Sequence, residues 1–308
     1  MPLSKQIQSE SFLLMIGKKL LIAGGCSYTD GNYITNDKNL PQKRGAWKMW
    51  PEHLGNELNL DVINTGKSGS SNETIFHNVL EKIYLYGDRI DTVAIMWTGM
   101  DRLRFLCGYD INPLSEVNIV SDINPAYKDG KFPFEWMARL GMGNLSYNFF
   151  TSVDFWRVRT DFIKYSIEDS LRNYSALADI CAINNIKFVF INGLLPFDYY
   201  YLSHFQKTGI LKCPEGESVE TYEKTVLKDY VNNVWFSKFD KNHKSNFIGW
   251  PIYAPLGGTY FDNMRDNNRK LFPKNNKYNV SDIDAHPNAE AQEIISKVIL
   301  ERHRKLYA

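Results

Sequence analysis

Short apolar segments that stop at polar or glycine-rich loops, and alternate with amphipathic stretches, constrain this chain more than any other feature. The first is Leu20 to Ala23, halted by Gly24-Gly25. Asp61 to Asn64, Thr92 to Trp97 and Lys187 to Asn192 repeat the pattern. Runs of this length read as strands, and strands apolar on both faces belong in a buried parallel sheet. The stretches between them carry helical spacing. Trp50 to Leu58 has Pro51 where a first turn accepts it. Ile75, Phe76, Val79, Leu80 and Ile83 form one apolar stripe, with Asn72 as the expected N-cap and Gly87 as the stop. Val153 to Asn184 reads as mostly one long helix. A last helix starts near Pro287, with the stripe Ala291, Ile294, Ile295, Val298 and Ile299. This alternation predicts an α/β chain with a mostly parallel sheet, helices on both faces and right-handed crossovers.

Two stretches break the pattern, at about residues 103–150 and 194–280. Both read as irregular insertions; the second holds a candidate helix near Ser218 to Val231 and a candidate strand near Phe247 to Tyr253. With no internal repeat and no low-complexity linker, residues 1–308 read as one domain carrying two large insertions. Their rings (Phe132, Phe134, Trp136, Tyr147, Phe149, Phe150, Tyr199, Tyr200 and Tyr201) suit a lid or sugar platform. Small cores for the insertions explain them more simply.

Charge excludes several functions. Lys and Arg number 36 against 35 Asp and Glu, a net charge of +1, so no nucleic-acid partner is expected. Cys26, Cys107, Cys181 and Cys213 form no CxxC pair, which argues against a zinc site and for reduced thiols. Asp262, Asn263, Asp266 and Asn267 do not match a calcium loop, and no metal or other cofactor is expected. Arg302, His303, Arg304 and Lys305 suit a helix C-terminus better than an anion site. No apolar run reaches the ~18 residues of a membrane span. Phe12 to Ile16 is short and lacks a cleavage site after it, so neither a signal peptide nor a membrane partner is expected, and a cytoplasmic location is favoured.

In parallel sheets the chemistry collects in the loops after the strands. Three such loops stand out. Gly24-Gly25-Cys26-Ser27-Tyr28-Thr29-Asp30-Gly31 can present a hydroxyl and an amide at the sheet edge; it equally suits a tight or phosphate-binding turn. Asn64-Thr65-Gly66-Lys67-Ser68-Gly69-Ser70-Ser71-Asn72 lets backbone N–H groups approach a ligand, or simply turns from strand to helix. Ser281-Asp282-Ile283-Asp284-Ala285-His286-Pro287-Asn288 sets an aspartate two residues before a histidine.

Taken together and in this order, the three loops resemble the SGNH, or GDSL-like, hydrolase superfamily. The resemblance covers most of the sheet framework and neither insertion. It implies a three-layer α/β/α sandwich of flavodoxin-like type and a serine esterase working through an acyl-enzyme. Ser27 falls at the nucleophile and His286 at the base. The amides of Ser27 and Gly69 fall in the oxyanion hole. Asp284 is the expected orienting acid and Asp282 the reserve. The implied substrate is an ester, with an acetyl group on a carbohydrate favoured, removed or transferred.

The chain departs from the family pattern at three points. Cys26 stands where Asp usually precedes the serine, and it reads as a packed residue rather than the nucleophile. Ile283 stands where the acid usually lies three residues before the histidine. Thr98-Gly99-Met100-Asp101 replaces Gly-x-Asn-Asp, so the asparagine amide of the oxyanion hole is missing and Thr98 or a backbone N–H is its expected substitute. Losing one such donor costs about 100- to 1000-fold in rate. A degenerate binding or structural protein on the same fold is therefore the alternative, and a flavodoxin-like nucleotide binder using Gly24 to Gly31 a third.

Overall fold

The computed structural model describes residues 17–35, 39–40, 45, 47–100, 154–194, 227–262, 278–281 and 284–308. Seven strands lie among them: β1 (Leu20–Gly25), β2 (Asp61–Asn64), β3 (Ile90–Trp97), β4 (Lys187–Asn192), β5 (Phe247–Ile248), β6 (Asn279–Ser281) and β7 (Asp284–Pro287). The helices are α1 (Trp50–Leu58), α2 (Asn72–Tyr86), α3 (Asp154–Ile183), α4 (Val234–Asn242) and α5 (Ala289–Tyr307). The first five strands form one sheet in the order β2-β1-β3-β4-β5, every pair parallel. β6 and β7 form a separate antiparallel pair.

The strands are buried on both faces because their side chains alternate between two cores. Leu20 and Ile22 of β1 face a core with Ile75 and Val79 of α2, Leu171 and Tyr174 of α3, and Phe239 of α4. Leu21 and Ala23 face the opposite core, with Trp50 and Leu54 of α1 and Ala291, Ile295 and Ile299 of α5. The result is a three-layer α/β/α sandwich, as the alternating pattern predicts.

Several local expectations change. Gly24 and Gly25 do not lie beyond β1; they are its last two residues. A Cβ on Gly24 would stand 2.6 Å from Val79 Cγ2 and 2.9 Å from Ile95 Cδ1, so glycine here lets α2 close on the sheet. Ser71, not Asn72, caps α2, accepting from the Thr74 N–H. Asn72 is the first helical residue, and its amide is used elsewhere. Pro287 ends β7, and Asn288 caps α5 through the Ala291 N–H. The strand expected near Phe247 to Tyr253 is limited to Phe247–Ile248. Of the candidate helix 218–231, residues 227–231 are helical and the rest lie outside the described residues. The first insertion, its rings and Tyr199, Tyr200 and Tyr201 also lie outside them, as do Cys107 and Cys213.

Strand order fixes where a site can form. The chain leaves β1 toward β2 on one side and places β3 on the other. The crevice between the ends of β1 and β3 is therefore the switch point of the sheet, where open parallel sheets bind ligands. No helix among the described residues is long and apolar enough to cross a membrane.

Candidate active site

The chain leaves β1 in a tight turn. The N–H groups of Thr29 and Asp30 both donate to the Cys26 carbonyl, at 2.9 and 3.1 Å, which puts Ser27 at the tip. Other elements pin this turn. Trp50 Nε1 of α1 donates to Thr29 Oγ1 at 3.1 Å, and Asn64 Nδ2 donates to the Thr29 carbonyl at 2.7 Å. Gln292 of α5 donates to the Tyr28 carbonyl at 3.1 Å and accepts from the Trp50 N–H at 3.0 Å. Cys26 is buried in the core beneath, its sulfur 4.0 Å from Ser27 Oγ.

His286 reaches the turn from β7. Its Nε2 lies 2.9 Å from Ser27 Oγ, and its Nδ1 lies 2.6 Å from Asp284 Oδ1. A carboxylate accepts only, so Nδ1 carries the proton and Nε2 is left to accept from the serine hydroxyl. The short spacing Asp284-x-His286 is closed by an Asx turn: the same Oδ1 also accepts the His286 backbone N–H, at 3.1 Å. Oδ2 accepts from Tyr33 and Thr35, each at 2.6 Å. Burial pushes the Asp284 carboxyl up, but hydrogen bonds from His286, Thr35 and Tyr33 outweigh it and hold the group well below the usual carboxylate range. Tyr33 also stacks on the His286 ring with centroids 4.3 Å apart, and Tyr28 meets it edge-on at 5.4 Å. The His286 side chain stays 24% exposed while that of Asp284 is fully covered, an open base on a buried acid.

The loop after β2 approaches from the other side of Ser27. Asp30 ties the two loops together: its Oδ2 accepts from the Ser68 N–H at 2.9 Å and the Ser68 hydroxyl at 2.7 Å, and its Oδ1 accepts from the Asn32 N–H at 2.8 Å. Gly69 follows at φ 83°, a left-handed conformation that favours glycine. Among the described residues, no acceptor faces the N–H of Ser27 or of Gly69. Two such amides are what a developing oxyanion needs.

Thr98, at the end of β3, is buried, and its N–H donates to Asn72 Oδ1 at 2.9 Å. Its amide is therefore taken, while Thr98 Oγ1 has no hydrogen-bond partner among the described residues. Met100 is buried with the core of α2 and α3.

The structure thus brings Ser27, Asp284 and His286 into hydrogen-bond contact, with Gly69 on the linked loop; Asp282 lies outside the described residues. Tyr33, Thr35, Asp30 and Gln292 carry no motif that singles them out in the sequence. Only Asp30 has a local signal, its place in the turn after the serine. The other candidates have structural partners: Asp262 accepts from the Tyr28 hydroxyl, Arg302 donates to the Ser245 carbonyl, and Arg304 pairs with Glu57. Asn263, Asp266 and Asn267 lie outside the described residues. Among the described residues no cluster of His, Cys, Asp and Glu could hold a metal ion.

No protein-family model and no curated protein matches the chain. Among solved structures it is similar to LAE5, an alpha/beta hydrolase enzyme from the metagenome of Lake Arreo, Spain, at 17% identity and a TM-score of 0.40, over 95% of this chain and 97% of that one. It is similar to Axe2, an acetylxylan esterase from Geobacillus stearothermophilus, at 14% identity and a TM-score of 0.39, over 93% and 94% of the two chains. A protein assigned to the G-D-S-L family, from Desulfitobacterium hafniense DCB-2, is similar at 11% identity and a TM-score of 0.40, over 92% and 99%.

Proposed function

We propose that the protein is a serine esterase of the SGNH type, working through an acyl-enzyme. One observation carries the reading: Ser27 Oγ, His286 Nε2, His286 Nδ1 and Asp284 Oδ1 lie in a continuous hydrogen-bonded line of 2.9 and 2.6 Å. Nucleophile, base and orienting acid in that relation are recognised by geometry rather than by sequence position.

Ser27 Oγ attacks the ester carbonyl as its proton passes to His286 Nε2. Asp284, held ionised by Tyr33 and Thr35, keeps the imidazole in the required tautomer and stabilises its charged form. The carbonyl oxygen, now negative, takes hydrogen bonds from the N–H groups of Ser27 and Gly69 and from Thr98 Oγ1. Collapse expels the alcohol, which receives the proton from Nε2. Water, deprotonated by the same nitrogen, then releases the acid; a sugar hydroxyl in its place gives transfer. No metal or other cofactor enters these steps. The substrate is an ester of a small acyl group, with an O-acetylated carbohydrate as the proposed class.

The test is hydrolysis of p-nitrophenyl acetate by the wild type and by Ser27→Ala. Activity in the wild type, abolished in the variant, is expected; equal rates in the two sink the reading. A panel of acetate, butyrate and octanoate esters, together with acetylated xylo-oligosaccharides, checks the substrate class. Wild type inactive on every one of these leaves the degenerate binding protein, which the apolar Met100 favours.

A further inference from the structure

Asn72 opens α2, but its side chain does not cap the helix; Ser71 does. The residue is 1% exposed, and a buried primary amide is costly unless all of its groups are bonded. Here they are. Oδ1 accepts the Thr98 N–H at 2.9 Å. Nδ2 lies 3.3 Å from the Thr98 carbonyl, 3.1 Å from Ser170 Oγ and 3.2 Å from the Tyr174 hydroxyl. One side chain thus grips both backbone polar groups of Thr98 and anchors them to α3. Tyr174 continues the network to Asn192 Oδ1 on β4, at 3.3 Å.

The consequence concerns Thr98. With its N–H and C=O fixed by Asn72, the residue has one group left, Oγ1, which is buried and without a partner among the described residues. A hydroxyl left unsatisfied in a fully buried residue wants a partner that arrives with a ligand. Thr98 directly follows β3, whose Met96 pairs with Gly25 of β1, two residues before Ser27. Met100, whose family counterpart offers a side-chain amide, is packed in the core and offers none.

We propose that Asn72 is a positioning residue that holds Thr98 so that its hydroxyl serves as the third oxyanion donor. An asparagine at the start of α2 thereby offsets the loss of the asparagine at position 100. Asn72 itself does not touch the substrate. The inference rests on the esterase reading and deepens it.

The experiment is a double-mutant cycle on p-nitrophenyl acetate hydrolysis with Asn72→Ala and Thr98→Val. Each single variant is expected to lower kcat by about 100-fold, the effect of removing one oxyanion donor, with KM changed less than threefold. The double variant is expected to be no slower than the worse single one, because both substitutions remove the same hydrogen bond. Val79→Ala, a core truncation on the same helix, controls for lost stability: its melting temperature falls while kcat holds. Where Asn72→Ala does not fold, the near-isosteric Asn72→Leu, which can bond neither backbone group of Thr98, carries the cycle. Additive effects, or a kcat within twofold of wild type in either single variant, overturn the inference. If Ser27→Ala abolishes activity in the same assay, the esterase reading survives that outcome; if the wild type is inactive, the esterase reading fails first.

Discussion

At the scale of single residues, the site turns on how Asp284 is kept charged. A carboxylate removed from water rises in pKa unless donors surround it, and here three side chains donate: His286, Thr35 and Tyr33. Its folded pKa lies below its unfolded value of about 3.9, so the charged form stabilises the fold above that value. As pH falls below about 4, toward the folded pKa, the contribution is lost. The melting temperature of the wild type should therefore exceed that of Asp284→Asn at pH 7, and the gap should narrow progressively below about pH 4. In the assay at pH 8, Asp284→Asn should lower kcat by about 10,000-fold, as expected when the acid can no longer select the tautomer. A gap in stability that is independent of pH counts against the charged Asp284. The sequence offers Ser27, Asp284 and His286 as candidates because local motifs mark them. It cannot offer Tyr33 and Thr35: their hydroxyls meet a carboxylate some 250 positions along the chain, and no short spacing records that.

At the scale of elements, the strands and helices are legible wherever burial imposes a period. α1 and β4 fall on the residues that the apolar pattern marks, because each buries an uninterrupted face. Caps are less legible. Ser71 and Asn72 are adjacent and chemically alike as caps, and only the tertiary demand of Thr98 separates their roles. The glycines of β1 mislead for the same reason: Gly24 answers to α2 above it and Gly25 to Thr29 of the turn that follows, not to their own strand. Gly24→Ala would drive a methyl group against Val79 and Ile95, and should cost about 1–3 kcal/mol by urea denaturation. Gly31→Ala, whose nearest neighbour would be Asn64 Nδ2 at 3.7 Å, should be within about 0.5 kcal/mol of wild type. Equal losses at the two positions count against the packing argument. Gln292 illustrates the link between elements. It is fully buried and joins α5 to α1 and to the Ser27 turn, so Gln292→Ala strands the Trp50 N–H and the Tyr28 carbonyl. Equilibrium unfolding should register a loss of about 2–6 kcal/mol, with each stranded group contributing about 1–3; a neutral substitution shows that water replaces the amide.

At the scale of the whole molecule, the parallel sheet follows from the alternation of elements, but its order does not. Order depends on which crossover passes over which face, and the two long insertions hide those choices from any local pattern. The order matters for chemistry, because it joins the two ends of the chain at one site. Ser27 follows β1, near the start, while Asp284 and His286 sit on β7, just ahead of α5. His286 therefore reaches the serine only if α5 is docked, and α5 docks through Ala291, Ile295 and Ile299 against the face formed by Leu21, Ala23 and Ile191. Its far end is fastened as well: the Tyr307 hydroxyl accepts from the Phe188 N–H at 3.0 Å and from Asn246 Nδ2 at 2.7 Å. Ile295→Ala should cost about 2–5 kcal/mol through the cavity it leaves. Because the docked helix also presents His286, esterase activity and sheet structure should be lost together. In a urea titration, p-nitrophenyl acetate hydrolysis and far-ultraviolet circular dichroism should share one midpoint, shifted down in the variant but coincident in both proteins. Activity that disappears at lower urea than the sheet signal would mean that β7 and α5 detach first, and that the site depends on a helix less firmly held than the core beneath it.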